Sequence, residues 1–293
     1  MRPDWNREGR DWPNRAASSF IEAGGLRWHV QRMGQGPVLL LLHGTAAATH
    51  SWRGLMPLLA ECFTVIAPDF PGHGFTSAPK DDGYTLPRMA HSVAALLAEM
   101  GDTPAMSIGH SAGAAIAAQM ALDGALTGPI VSINGALLPF PGFAAQLFPQ
   151  MAKMLFLNPL MPRLFALTGQ SESFVRRFLE RSTGSRVDDA GARYYQRLFA
   201  CSGHCAAALA MMANWDLDSL KRALPTLKNR LALFAGEDDA AVPPSVADEV
   251  AALIPNATVR KFKDLGHLAH EEAPAALAGA IMDVAREYAI LTA

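Results

Sequence analysis

The sequence predicts an α/β fold, in which a mostly parallel, doubly wound β-sheet is covered by helices. Continuous aliphatic runs at residues 38–42 and 63–67 are typical of strands that are buried on both faces. These and later strand-like runs alternate with helical segments, which is the pattern of a parallel sheet. The three turns that look functional each follow a strand, where such sheets place their sites.

The elements can be assigned in chain order from these patterns. Gly24-Gly25 predicts a tight hairpin turn between residues 20–23 and 26–33. The N-terminal half then contains strands at residues 38–42, 63–67, 104–108 and 129–134, and helices at 52–61, 86–100 and 112–122. After a long insertion, strands at 231–235 and 258–262 alternate with helices at 244–253 and 273–290.

Residues 136–215 interrupt the alternation with a helical, apolar segment that is rich in Met, Phe and Leu. We predict that this segment is a cap over the site, inserted into a core formed by residues 1–135 and 216–293. The alternative is that part of it extends the core. Pro149 and Pro159 predict short, separately mobile helices, which suit a lid over a lipophilic pocket or a surface at a membrane interface.

Composition and charge exclude several classes of protein. Because 25 Lys and Arg balance 27 Asp and Glu, no basic face for nucleic acid is expected. No uninterrupted apolar run reaches the roughly 18 residues of a membrane span, and the charged N-terminus is not followed by a signal-like segment. We therefore expect a cytoplasmic protein that could contact the inner membrane peripherally.

The three cysteines do not form a disulfide framework, so a reducing compartment is expected. Cys201 and Cys205 flank His204, but a single Cys-x3-Cys without a second pair of ligands favours helix packing over metal binding. Neither a phosphate loop nor a dinucleotide fingerprint is present, and we expect no metal and no cofactor.

The strongest motif is Gly109-His110-Ser111-Ala112-Gly113, which lies between the predicted strand 104–108 and the small-residue helix 112–122. In this strand-turn-helix context Gly-x-Ser-x-Gly predicts a sharp turn that presents the serine at the carboxyl end of the sheet. The glycines provide the room that such a strained turn needs. Ser111 is therefore the candidate nucleophile.

A serine hydroxyl needs a base to remove its proton and a third group to orient that base. Among nine histidines, only His267 follows a late strand, so we predict that it is the base. The turn that follows the strand 231–235 offers the acid. Asp239 is preferred because it matches Gly-x-x-Asp-x-x-Val-Pro, and Asp238 is the alternative.

Two backbone N–H groups should stabilise the oxyanion that forms when a serine attacks a carbonyl. We predict that Thr45, after His43-Gly44, and Ala112 provide them, with Ala46 as the alternative to Thr45. A Cβ at position 46 could limit how closely a substrate approaches.

With these motifs in place, the chain resembles the α/β-hydrolase superfamily along nearly its whole length. The resemblance implies the α/β-hydrolase fold, with a mostly parallel sheet and an inserted helical cap. Because position 111 is Ser and not Asp, the chain looks like the esterase and C–C hydrolase branches, and unlike haloalkane dehalogenases or epoxide hydrolases.

Five stretches are also similar to the BchO family, the hydrolase-like accessory proteins of magnesium chelatase in bacteriochlorophyll biosynthesis. They are residues 10–13, 28–34, 71–76, 134–140 and 211–217. This resemblance implies a role near magnesium insertion into protoporphyrin, with magnesium-chelatase subunits as partners. A cap rich in Met and Phe suits a flat tetrapyrrole, but it suits acyl chains equally well.

Two hypotheses follow. The chain is either a serine hydrolase for a hydrophobic ester, which could be a porphyrin or a general lipophilic ester, or a non-catalytic protein that binds porphyrin or assists the chelatase. The presence of Ser111, Asp239 and His267 together favours the hydrolase. We predict that the ligand pocket is lined by His110, Trp52, Phe148, Met154 and Trp215.

Overall fold

The computed structural model describes residues 2–80, 83–139, 158 and 160–292. Its centre is a sheet whose strands follow one another as β1-β2-β4-β3-β5-β6-β7-β8. The strands are β1 (Ser18–Ala23), β2 (Leu26–Met33), β3 (Val38–Leu42), β4 (Thr64–Pro68), β5 (Met106–His110), β6 (Ile130–Ile133), β7 (Leu231–Gly236) and β8 (Ala257–Phe262).

Strands β3 to β8 are parallel to one another, and β1 and β2 extend the sheet beyond β4 in antiparallel pairing. Gly24 and Gly25 make the hairpin turn with positive φ angles of 57° and 74°, a conformation that glycine adopts without strain. The carboxyl ends of β3, β5, β6, β7 and β8 therefore meet at one edge, which brings the turns that follow them together.

Helices cover both faces of this sheet. In chain order they are α1 (Leu55–Leu59), α2 (Leu86–Met100), α3 (Ala112–Leu122), α4 (Met161–Thr168), α5 (Glu172–Thr183), α6 (Asp189–Phe199), α7 (Ser202–Asn214), α8 (Leu217–Ala223), α9 (Ser245–Leu253), α10 (Ala269–Glu272) and α11 (Pro274–Glu287). Alternate residues of β3 divide between two cores: Leu40 and Leu42 pack with α2 and α3, and Leu39 and Leu41 pack with α1 and α11.

The predicted fold class is confirmed, and the differences are local. The closing helix is not continuous over residues 273–290: Ala273, with φ −135° and ψ 60°, separates α10 from α11, and α11 ends at Glu287. The helix predicted at 52–61 is a 3-10 turn at Thr49–Trp52 followed by the short α1. In both places backbone geometry at the helix ends, and not apolar periodicity, sets the boundaries.

Helices α4 to α7 lie between β6 and β7, inside the predicted insertion at residues 136–215. Its role as a separate cap stays a prediction. In the described ranges, no helix has the length and apolar character needed to cross a membrane.

Candidate active site

Ser111 lies on the sharp turn between β5 and α3. Its backbone angles, φ 50° and ψ −115°, fall in a region that side-chain-bearing residues rarely adopt. The turn is held because the Ser111 N–H donates to the carbonyl of Ile133 at 3.0 Å. A Cβ at Gly109 would collide with the backbone of Ala114, and one at Gly113 would collide with the carbonyl of Leu42. The two glycines are thus required by close backbone packing around the serine.

Asp239 and His267 lie side by side at the ends of β7 and β8. His267 Nδ1 is 2.8 Å from Asp239 Oδ2, and both side chains are almost fully buried. The other carboxylate oxygen, Oδ1, accepts the N–H groups of Ala241 and Val242 at 2.8 Å each, which fixes the carboxylate. Because Asp239 accepts at Nδ1, the Nδ1–H tautomer leaves His267 Nε2 free to take up a proton.

The structure thus brings Asp239 together with His267, while Asp238 contributes a backbone contact through its N–H to the carbonyl of Leu265 at 3.0 Å. Among the residues that the structure describes, the Ser111 hydroxyl makes no hydrogen bond with His267. In ligand-free enzymes, catalytic hydrogen bonds are often long and tighten when the substrate binds.

Asn134, at the end of β6, connects the two turns that carry the acid and the base. Its side-chain Nδ2 donates to the carbonyls of Gly266 and His267 at 2.9 and 2.8 Å, and its Oδ1 accepts the Gly236 N–H at 2.7 Å. Asn134 has a φ of 48°, in the left-handed region that asparagine tolerates better than most residues. Our sequence analysis gave it no role, although an Asn-Gly pair directly after a strand was a usable signal.

His110 supports the same carbonyl from the elbow. Its Nε2 lies 2.9 Å from the carbonyl of His267, and its ring lies 4.4 Å from that of His270. Burial, together with the neighbouring His270 and His267, holds the pKa of His110 well below its usual value, so the ring is neutral. A neutral ring with hydrogen on Nε2 donates to the carbonyl, which gives His110 a contact with the candidate base.

The loop after β3 carries the candidate oxyanion-hole residues. Ala46 has a positive φ of 62°. Within the part of the chain that is described, the N–H groups of Thr45 and Ala112 have no acceptor, as expected for donors that face a ligand. Their role stays a prediction.

His204 of α7 holds this loop from above. Its Nδ1 accepts the Gly74 N–H at 3.1 Å, and its Nε2 donates to the carbonyl of Ala46 at 3.0 Å. Burial lowers the pKa of His204 to about 3, so the neutral form makes both hydrogen bonds. Sequence reasoning had given His204 no role, because its partners lie more than 100 residues away along the chain.

His43 and His73 stabilise turns. His43 Nε2 accepts the Phe70 N–H at 2.9 Å, and its Nδ1 donates to the carbonyl of Gly44 at 2.7 Å. His73 Nδ1 lies 3.1 Å from the carbonyl of Pro71. A buried pair of His29 and Asp69, 2.8 Å apart, lies beneath the same turns.

The predicted pocket residues have different surroundings. Trp52 is fully buried and its ring lies 4.6 Å from that of His270, so it packs in the core below the site. Trp215 is half-buried at the end of α7. Phe148 and Met154 lie outside the described residues. A role in ligand contact stays a prediction for all of them and for His110.

The Cys201-His204-Cys205 segment is packed in the protein interior. The Cys201 and Cys205 thiols contact the carbonyls of Arg197 and Phe199, both at 3.2 Å. The described residues contain no cluster of three His, Cys, Asp or Glu side chains that could hold a metal ion.

Comparison with known proteins connects this geometry to a family. A family model described as alpha/beta hydrolase fold matches residues 37–274, which include the elbow, Asp239 and His267. The chain belongs to the alpha/beta hydrolase fold family. Within that family, it is 41% identical over 275 residues to the magnesium-chelatase 30 kDa subunit of Rhodobacter capsulatus, covering 93% of this chain and 96% of the relative. The resemblance drawn from the sequence motifs is confirmed.

Solved alpha/beta hydrolase structures share the fold at low sequence identity. A putative lipase from Acinetobacter baumannii AYE superposes with a TM-score of 0.79 at 18% identity, covering 99% of this chain and 98% of that chain. The epoxide hydrolase VrEH1 from Vigna radiata gives a TM-score of 0.76 at 19% identity, over 92% of this chain and 98% of that chain. At such identities the alpha/beta hydrolase likeness concerns the fold alone.

Proposed function

We propose that this protein is a serine hydrolase that cleaves a hydrophobic carboxylic ester. The observation that carries the proposal is the 2.8 Å hydrogen bond between Asp239 and His267, at the same edge of the sheet as the strained elbow of Ser111. A purely structural protein has no need for a buried acid-histidine pair beside a serine that is held at φ 50°.

In this proposal, Ser111 Oγ attacks the ester carbonyl while His267 Nε2 takes its proton. Asp239 keeps the ring in the required tautomer and stabilises the imidazolium that forms. The N–H groups of Ala112 and Thr45 bind the oxyanion, aided by the amino-terminal dipole of α3. His267 then protonates the leaving alcohol, and a water molecule that it activates cleaves the acyl-enzyme to release the acid and restore Ser111.

Labelling with a fluorophosphonate probe tests the nucleophile. The wild-type protein should be labelled, and Ser111→Ala should abolish labelling and lower the turnover of a short-chain ester by about 10⁴-fold or more. Ser92→Ala, on the surface of α2, is the matched control and should behave as wild type. Equal labelling of wild type and Ser111→Ala would refute the proposal.

The proposed ligand class rests on the helix that packs over the candidate oxyanion loop. Thr45 Oγ1 lies 3.6 Å from the sulfur of Met211, so α7 lies over the candidate oxyanion loop. Residues 136–215, which include α7, are rich in Met, Phe and Leu, and this composition supports a lipophilic substrate. Titration with protoporphyrin or its magnesium complex, followed by tryptophan quenching and Soret shifts, separates a tetrapyrrole from a general lipophilic ester. Hydrolysis of long-chain acyl esters without porphyrin binding would favour the general carboxylesterase.

A second candidate function is assistance to magnesium chelatase without turnover. It is favoured by the 41% identity to a relative that is named as a magnesium-chelatase subunit. The discriminating experiment adds wild type or Ser111→Ala to a reconstituted chelatase. Equal stimulation by both proteins would favour assistance without hydrolysis. Stimulation that is lost in Ser111→Ala would show that hydrolysis is needed.

A further inference from the structure

The exposed apolar surface of this protein is concentrated in one place. In the described ranges, all of the exposed large hydrophobic side chains lie within residues 160–178, which include α4 and the first part of α5. Leu160, directly before α4, and Leu164 and Leu167 on it are 56%, 50% and 62% exposed, and within α4 only Ala166 is buried. On α5, Phe174 and Phe178 are 39% and 44% exposed. Exposed apolar side chains concentrated in this way mark an interaction site.

The outer face of α5 alternates aromatic and basic side chains. Phe174, Arg177, Phe178 and Arg181 are spaced i, i+3, i+4 and i+7, so they lie on one side of the helix. Val175, Leu179 and Thr183 are buried on the opposite side. The two phenyl rings are stacked with centroids 6.3 Å apart, which presents them as one apolar ridge beside the arginines.

The charge around this surface is positive. Arg163 on α4 and Arg176, Arg177 and Arg181 on α5 outnumber the two carboxylates of these helices, Glu172 and Glu180. Arg163, Arg177 and Arg181 form no ion pair with another described residue, whereas Arg176 pairs with Asp189 at 2.7 Å. Of the two carboxylates on α5, Glu172 pairs with Arg176 at 3.3 Å and Glu180 is exposed. The patch differs from the rest of a chain whose formal net charge is −2.

We propose that the outer face of α4 and α5 docks on the surface of an anionic lipid bilayer. Phenylalanine and leucine side chains insert among the acyl chains, and the flanking arginines extend to the lipid phosphates. The arginines lie beside the phenyl rings on the same exposed face of α5, which suits a planar layer of anionic headgroups over an apolar interior. A protein partner would require a matching acidic surface of fixed shape.

The carboxyl end of α5 connects this surface to the candidate active site. The carbonyl of Thr183, its last residue, accepts the N–H of His267 at 2.8 Å and that of Ala240 at 3.3 Å. A bilayer bound along α5 therefore lies on the helix that supports the turns of the candidate base and acid. Docking then places the candidate site where a lipophilic ester can reach Ser111 from the membrane. This consequence rests on the proposed function.

Vesicle flotation tests the docking. Wild-type protein should float with vesicles of phosphatidylcholine and phosphatidylglycerol, much less with phosphatidylcholine alone, and should be released at high salt. Arg177→Gln with Arg181→Gln should weaken binding about 30-fold. Lys221→Gln with Lys228→Gln removes the same charge from the core surface and should bind as wild type. Phe174→Ser with Phe178→Ser, and separately Leu164→Ser with Leu167→Ser, should each weaken binding about tenfold or more.

Lipid-free turnover of a short-chain ester separates this inference from the proposed function. The surface variants should retain wild-type turnover, and the Ser111→Ala protein should still bind vesicles. Absence of wild-type binding to anionic vesicles, or equal binding by the Phe174/Phe178 and Lys221/Lys228 variants, would overturn the docking. Self-association, or capture of a chelatase subunit, through this face in the absence of lipid would also overturn the docking.

Discussion

Buried neutral histidines should make this protein unusually sensitive to mild acid. Burial lowers the pKa of His43 to about 4, and it lowers the pKa of His73, His204 and His270 to about 3, from an ordinary value of 6.5. Above pH 7 these groups are neutral in both the folded and the unfolded chain. As the pH falls below 6.5, the unfolded chain binds protons that the folded chain does not, so the free energy of unfolding decreases.

The size of the loss follows from these pKa values. Relative to pH 8, each histidine costs ~0.8 kcal/mol at pH 6 and ~1.4 kcal/mol at pH 5.5. Four such groups together remove about 3 kcal/mol at pH 6 and about 6 kcal/mol at pH 5.5, against typical domain stabilities of about 5–15 kcal/mol. The loss continues toward the folded pKa values. Unfolding by acid should therefore begin well above the range in which most carboxylates titrate.

Urea unfolding, followed by circular dichroism at several pH values from 8 to 5.5, measures this loss directly. His270→Leu supplies the matched variant, because neither ring nitrogen of His270 has a partner in the described part of the chain and leucine has a similar volume. It should reduce the loss at pH 5.5 by ~1.4 kcal/mol. A free energy of unfolding that stays within about 1 kcal/mol between pH 8 and 5.5 would refute the reasoning.

Three further predictions concern the site. Asp239→Asn should lower ester turnover by about 10⁴-fold, and Asp238→Asn should lower it far less, because the side chain of Asp239 contacts His267. Steady-state kinetics of the two variants measures this difference, and the reverse order would reassign the acid to Asp238. Asn134→Ala should leave the Gly236 N–H without its partner, destabilise the fold by about 1–3 kcal/mol in urea unfolding and lower kcat. An unchanged kcat would show that Asn134 does not position the candidate base. Gly113→Ala should destabilise the protein by about 1–3 kcal/mol in thermal unfolding, since its Cβ meets the carbonyl of Leu42; a wild-type Tm would contradict the packing of the elbow.

Much of the fold could be predicted from local patterns in the chain. Continuous aliphatic runs identified β3 and β4. Apolar periodicity gave the bounds of α2, and the run of small residues after the elbow gave those of α3, as the structure has them. The strand-turn-helix context singled out Ser111, and turn spacing singled out Asp239 and His267. The predictions of strands and helices succeed because hydrophobic periodicity, turn chemistry and the steric need for glycine act between residues that are close in sequence, while the catalytic roles stay predictions.

The supports of the site were decided by tertiary structure. Asn134 reaches Gly266 and His267, and His204 reaches Ala46, across 132, 133 and 158 positions of sequence. The carbonyl of Thr183 meets the N–H of His267 only because α5 ends above the turn after β8. No local signal encodes such contacts, since a side chain finds its hydrogen-bond partner only after the strands have aligned and the helices have packed against them.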